Sequence, residues 1–154
     1  MLTQIVKYTL VFTFLFFSCT GKLDVNNNNN PQGYADSQLV GVWKITGFSS
    51  SEPFDWNNDG RPESNIYSIW TDCQKDNLYQ FNADKTGTTK LNCSLTTQST
   101  WQIINSTYLY FTPIGQSPET EKIIAMTSVQ FNSTKDLTVS TGKNITVTKI
   151  WTRQ

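Results

Sequence analysis

Leu39-Val-Gly-Val-Trp-Lys-Ile-Thr-Gly-Phe48 is the stretch on which the fold turns. Leu39, Trp43 and Ile45 fall on one face of an extended strand, while Lys44 and Thr46 fall on the other, the alternation of a half-buried strand. Similar segments recur to the C-terminus. Residues 77–82 put Tyr79 and Phe81 on one face, Asp84-Lys-Thr-Gly87 reads as a turn, and residues 88–93 pair back as a hairpin. Residues 99–104 and 107–112 meet across Asn105-Ser106, a two-residue hairpin loop. Residues 121–131 alternate as a single strand, with Ile123, Ala125, Val129 and Phe131 on one side. Residues 136–140 and 144–151 close around Thr141-Gly-Lys143, and residues 66–70 are a short apolar strand or a single turn. About eight strands with short connections predict an all-β, up-and-down antiparallel barrel, with a β-sandwich as the alternative.

Twelve basic side chains balance twelve acidic ones, so the net charge is zero and no field draws the chain to nucleic acid. The chain contains no histidine. That removes the usual general base, the Ser-His-Asp and Cys-His arrangements, and histidine-ligated zinc. A carboxylate pair, such as Glu52 or Glu63 acting against an Asp, is the catalytic option left. It ranks last, and no enzyme is expected.

The most specific chemistry lies in Asp55-Trp-Asn-Asn-Asp-Gly-Arg-Pro-Glu63. Asp55, Asn57 and Asp59 alternate and Gly60 follows, as in the first half of a calcium loop. The Arg61 carbonyl and Glu63 would add ligands to a structural calcium site, with Glu52, Asn65 or Asp72 as candidates to complete it. Ile66 stands where the EF-hand needs a bidentate Glu, and no helical pattern flanks the loop, so an EF-hand is excluded. A solvated Asn-Asp-Gly turn is the plain alternative. Charge favours the ion: Glu52, Asp55, Asp59, Glu63, Asp72 and Asp76 face only Arg61 and Lys75 in this region.

Residues 1–18 hold Lys7, an apolar run at 8–17 and then Ser18. The run is too short to span a bilayer and reads as a secretory signal. A small residue followed by Cys19 resembles the lipobox of bacterial lipoproteins. That resemblance implies cleavage before Cys19, lipidation of its thiol and a membrane anchor. Residues 19–35, with five consecutive Asn at 26–30, read as a flexible tether, and residues 36–154 as the barrel domain. In an exported chain, Cys73 and Cys93, which bracket the first hairpin, most simply form one disulfide.

Taken in order, Gly41-Val-Trp43, the Asp55 loop, Cys73, Asp76-Asn-Leu-Tyr-Gln-Phe81 and Asp84-Lys-Thr-Gly87 resemble the small lipocalin-like lipoproteins of Gram-negative envelopes. The resemblance implies a monomeric barrel at the cell envelope, on the outer membrane. It implies that Trp43 closes one end, with Arg153 over its ring. It also implies an apolar pocket for a small hydrophobic ligand, lined by Trp43, Ile45, Tyr79, Phe81, Trp101, Ile103, Tyr108, Tyr110 and Val129, each of which is otherwise ordinary core. A side-chain-filled barrel serving as a surface interaction module or inhibitor is the alternative.

Overall fold

The computed structural model describes residues 33–91 and 93–154; the signal segment, Cys19 and the Asn run lie outside the described residues. Eight strands follow one another: β1 (Gly41–Ser50), β2 (Leu78–Phe81), β3 (Thr86–Leu91), β4 (Leu95–Ile104), β5 (Tyr108–Pro113), β6 (Glu119–Met126), β7 (Gln130–Thr138) and β8 (Asn144–Arg153). Each pairs antiparallel with the next, and β8 returns to β1, so the sheet is a closed up-and-down barrel and not a sandwich. Two short helices accompany it, α1 (Asp36–Leu39) and α2 (Asp72–Lys75), with a 3-10 helix at Ile66–Ile69 where the sequence left strand or turn open.

Several readings of the strands change. Residues 121–131 are not one strand: β6 ends at Met126, and β7 begins at Gln130 and runs to Thr138, so residues 136–138 end that strand and do not form one of their own. No glycine or proline marks the turn between β6 and β7. Thr127 makes it instead, its hydroxyl accepting from the Gln130 amide at 3.0 Å while its own amide donates to the Gln130 carbonyl at 2.7 Å. Gly87 lies inside β3 and not in the preceding turn. A Cβ there would sit 2.7 Å from the Gln80 carbonyl oxygen and 2.8 Å from Ser99 Oγ. The turn is built by Asp84, whose carboxylate accepts from both the amide (3.0 Å) and the hydroxyl (2.6 Å) of Thr86. The hairpin turns at Asn105-Ser106, both at positive φ (50° and 53°), but Ile104 pairs with Tyr108, so Thr107 joins the loop and does not start the strand.

One end of the barrel is sealed around Trp43. Its ring is fully buried, its indole N–H donates to the Leu39 carbonyl at 2.7 Å, and the Arg153 guanidinium lies 4.3 Å from the ring centre. Arg153 also donates to the carbonyls of Val40 (2.6 Å) and Gln38 (2.7 Å), tying the end of β8 to α1 and the start of β1. Gly41 makes room for this. Its φ is +140°, and a Cβ would meet Arg153 Nη1 at 2.2 Å. Asp36 fastens α1 to the wall by accepting from the Ile103 amide at 3.0 Å and pairing with Lys85. Tyr34, assigned to the tether on sequence, donates its amide to the Ser106 carbonyl at 2.7 Å and packs against the core.

The segment between β1 and β2 lays Tyr67 and Trp70 against the core, with Trp70 at 5.4 Å from Phe48. The Cys73–Cys93 disulfide joins α2 to the residues after β3, and a 2.7 Å bridge from Lys44 to Asp76 holds α2 to β1. Closing a loop of this size with a disulfide stabilises by roughly 3 kcal/mol.

Candidate functional site

Inward-facing side chains form an aromatic ladder. Trp43 meets Phe131 edge-on at 4.9 Å, Phe131 stacks on Trp151 at 5.1 Å, and Trp151 meets Tyr79 at 4.9 Å. Phe81 bridges Trp101 (5.4 Å) and Phe111 (6.1 Å). Between these rings lies an internal cavity of about 90 Å³, walled by Tyr79, Phe81, Leu109, Phe111 and Trp151 and by the charged side chains of Glu119, Glu121 and Lys149.

Two carboxylate–ammonium pairs stand at the cavity, one buried inside the barrel and one, Glu119 with Lys135, at its partly exposed rim. Lys149 pairs with one carboxylate oxygen of Glu121, and the Ser133 hydroxyl donates to the other. Ser133 in turn accepts from the Trp151 indole at 2.8 Å, so the network reaches the aromatic ladder. Glu119 is bridged by Lys135 at 3.5 Å. Glu121 is 6% exposed and Ser133 fully buried. Burial alone would pull the Lys149 ammonium down, but the Glu121 charge and hydrogen bond outweigh it and hold the ammonium above its ordinary value. The Tyr79 phenol is pushed up by burial and stays neutral. Alternation explains the placement: Lys149 shares a face with Ile145, Val147 and Trp151, and Glu121 shares one with Ile123.

Of the expected ligand-contacting residues, Tyr79 and Phe81 line the cavity. Trp43 and Trp101 are buried in the barrel but lie away from it; the Trp101 indole is held by the carbonyls of Asn82 (3.1 Å) and Thr86 (2.9 Å). Ile45 is core and Ile103 half-buried. Tyr108 and Tyr110 are corrected outright. On β5 the inward face carries Leu109, Phe111 and Pro113, which sends both tyrosines to the outer surface, where they line separate open grooves. Val129 sits in the Thr127 turn and is 62% exposed. Leu109, Phe111, Glu119, Glu121, Lys149 and Trp151 are the lining residues that the sequence reading did not name as such.

The Asp55–Glu63 loop is closed at its base by a bridge between Phe54 and Glu63, over which Trp56 donates to the Glu63 carbonyl at 3.1 Å. Asp55 accepts from the amides of Asp59 (3.0 Å) and Gly60 (2.9 Å), and Asp59 accepts from the Arg61 amide at 2.9 Å. Asn57 accepts from the Asp59 amide at 3.3 Å and donates to the Asp59 carboxylate at 3.1 Å. Much of the acidic excess is compensated from outside the segment, since Glu52 pairs with Lys143 and Asp76 with Lys44. Among the described residues no group of three His, Cys, Asp or Glu side chains is arranged to hold a metal. One Glu63 carboxylate oxygen is buried without a hydrogen-bond partner.

No family model matches the chain, and no curated protein matches its sequence. Solved structures with a similar chain path include those of bovine odorant binding protein. Its complex with a selenium-containing odorant is 10% identical, covering 77% of this chain and 72% of that one at a TM-score of 0.45. Its complex with its natural ligand is 11% identical over 77% and 72% at 0.43, and its deswapped triple mutant 11% identical over 76% and 74% at 0.42. The fold assignment stands on the strand path of this chain itself.

Proposed function

We propose that this protein is a lipid-anchored envelope protein, monomeric and non-enzymatic, whose barrel binds one small, largely apolar molecule bearing a polar group. The observation that carries the reading is the internal cavity, with aromatic and aliphatic walls converging on a few polar groups, the composition of a binding pocket. The anchor rests on the apolar run before Ser18-Cys19 in the sequence. Against catalysis stand the absence of histidine and the engagement of both cavity carboxylates with lysines. At about 90 Å³ the cavity is below the roughly 300–1,000 Å³ of drug-sized pockets, so the ligand is small or enters as side chains turn aside. That same figure favours a second reading, a filled barrel acting through its outer face, where Tyr108 is 39% exposed.

The Trp151 indole, bonded to Ser133, and the Trp43 indole, bonded to Leu39, give an internal comparison. Titration with hexan-1-ol, followed by ¹H–¹⁵N NMR of the indoles, is expected to shift Trp151 saturably and leave Trp43 in place. Leu109→Trp, which fills the cavity, is expected to abolish the shift. An unmoved Trp151 would leave only the surface reading.

Calcium in the Asp55–Glu63 loop is part of the same proposal, as a structural ion held by Asp55, Asn57, Asp59, the Arg61 carbonyl and Glu63. Its support is the alternating oxygen pattern and the unpartnered Glu63 oxygen. Calcium is expected to raise the melting temperature of the parent and not of Asp59→Ala; equal response in both would remove the site.

A further inference from the structure

We propose that the polar group of the ligand is uncharged, a hydroxyl, carbonyl or amide, and that carboxylates and ammonium ions of the same size are refused. This rests on the binding reading above and concerns the same cavity.

Every charge at the cavity already has its counter-charge. Glu121 is satisfied by Lys149 and Ser133, and Glu119 by Lys135. Lys135 stands outside the cavity beside the half-exposed Glu119, so with it the two carboxylates and two ammonium groups sum to zero; the uncharged walls are Tyr79, Phe81, Leu109, Phe111 and Trp151. An incoming carboxylate would meet Glu119 and Glu121 and compete with Glu121 for Lys149. An incoming ammonium would find the cation position filled, because Lys149 lies 5.6 Å from the Trp151 ring centre and 5.7 Å from that of Phe48. Either ion would bury a charge with no partner of its own, which is strongly unfavourable.

A neutral group faces no such barrier. An ammonium has three N–H donors, and among the described residues Lys149 donates to Glu121 alone, alongside its ring contacts. A hydroxyl or carbonyl oxygen can accept from Lys149 without changing the charge of the cavity. The buried, protonated Tyr79 phenol keeps the rest of the wall neutral.

Hexan-1-ol, hexanoate and hexylamine carry the same chain with three different heads. Titrated against the Trp151 indole resonance at pH 7.5, hexan-1-ol is expected to bind at least about tenfold more tightly than either ion. Glu121→Gln leaves Lys149 without its carboxylate and should move hexanoate ahead of hexan-1-ol. Lys149→Met leaves Glu121 without its ammonium and should move hexylamine ahead. The Trp43 indole resonance, at the sealed end, reports whether each variant is folded, and one folded variant suffices. Hexanoate or hexylamine within threefold of hexan-1-ol on the parent, or an unchanged order in a folded variant, would overturn the inference while leaving a binding barrel. If none of the three moves Trp151, the binding reading falls and the inference with it.

Discussion

Replacing Lys149 by methionine removes the ammonium from Glu121 while keeping most of the chain's length. The Glu121 side chain is 8% exposed and is left with Ser133 as its partner, so it keeps its desolvation cost and loses the attraction that offset it. Breaking a buried pair in this way costs about 3–5 kcal/mol. The Lys149 side chain is 18% exposed, so some water reaches that end, and the lower part of the range, about 3 kcal/mol, is expected. Glu121→Leu strands the ammonium nearer to solvent and should cost about 2 kcal/mol. The double variant removes both charges and keeps the Trp151–Ser133 bond; it should return to within about 1 kcal/mol of the parent. Urea unfolding followed by tryptophan fluorescence measures all four proteins, provided the slope with denaturant is unchanged. The expected signature is non-additivity of about 4 kcal/mol or more. Two single variants each costing under about 1 kcal/mol and adding in the double would mean that the pair is not desolvated. The charge selectivity argued for the cavity would then lose its physical basis.

Alkaline pH tests the same groups. Lys149 and Tyr79 both have folded values raised above their ordinary ones, so their contribution is complete below about pH 10 and is lost as pH rises through the folded values. The urea midpoint should fall above about pH 10.5, and a flat profile would contradict the assignment. At the acid end, burial opposes ionisation of Asp36, but Lys85 and the Ile103 amide outweigh it and lower its value. Its contribution is present above about pH 4 and lost as pH falls through the depressed value, so Asp36→Asn should flatten the acid arm. The Thr89 hydroxyl is buried without a partner; Thr89→Val should hold or raise stability by up to about 1 kcal/mol in the same assay, and a clear loss would reveal an unrecognised bond. Gly41→Ala should cost about 2 kcal/mol or more, from the strained backbone and the displaced Arg153, and a neutral result would show that the sealed end is pliant.

The barrel was legible because period-two alternation runs through most strands and short polar turns separate them. The disulfide was legible from two cysteines bracketing a hairpin, and the Trp43–Arg153 contact from the family resemblance. The pocket lining was harder, and β5 shows why. Tyr108-Leu-Tyr-Phe111 is apolar on both faces, so alternation fixes two sets of residues without saying which set points inward. The pocket implied by the resemblance took the tyrosines, whereas the phase of the neighbouring strands selects Leu109 and Phe111. Lys149 and Glu121 did carry a signal: each is a charged residue in phase with buried apolar positions, 28 residues apart in sequence. Pairing them requires knowing that β6 and β8 face one cavity, and no local pattern contains that. The turn at Thr127 was missed because a side-chain hydroxyl does there what glycine or proline usually does.

Closure of the sheet by β1 and β8 has a kinetic consequence. Trp43 pairs with Arg153 and Ser50 with Val147, among the most distant contacts in the chain. Six hairpin steps from β2 to β8 can form between sequence neighbours, but the last seam requires the two outermost strands to find each other, at the highest loop-closure cost in the molecule. Until that seam forms, β1 and β8 each present an unpaired edge on which another chain can add. Removing β8 would deprive β1 and β7 of a partner at once, so one deletion would open two edges. The last strand is therefore the step that turns an aggregation-prone open sheet into a closed barrel.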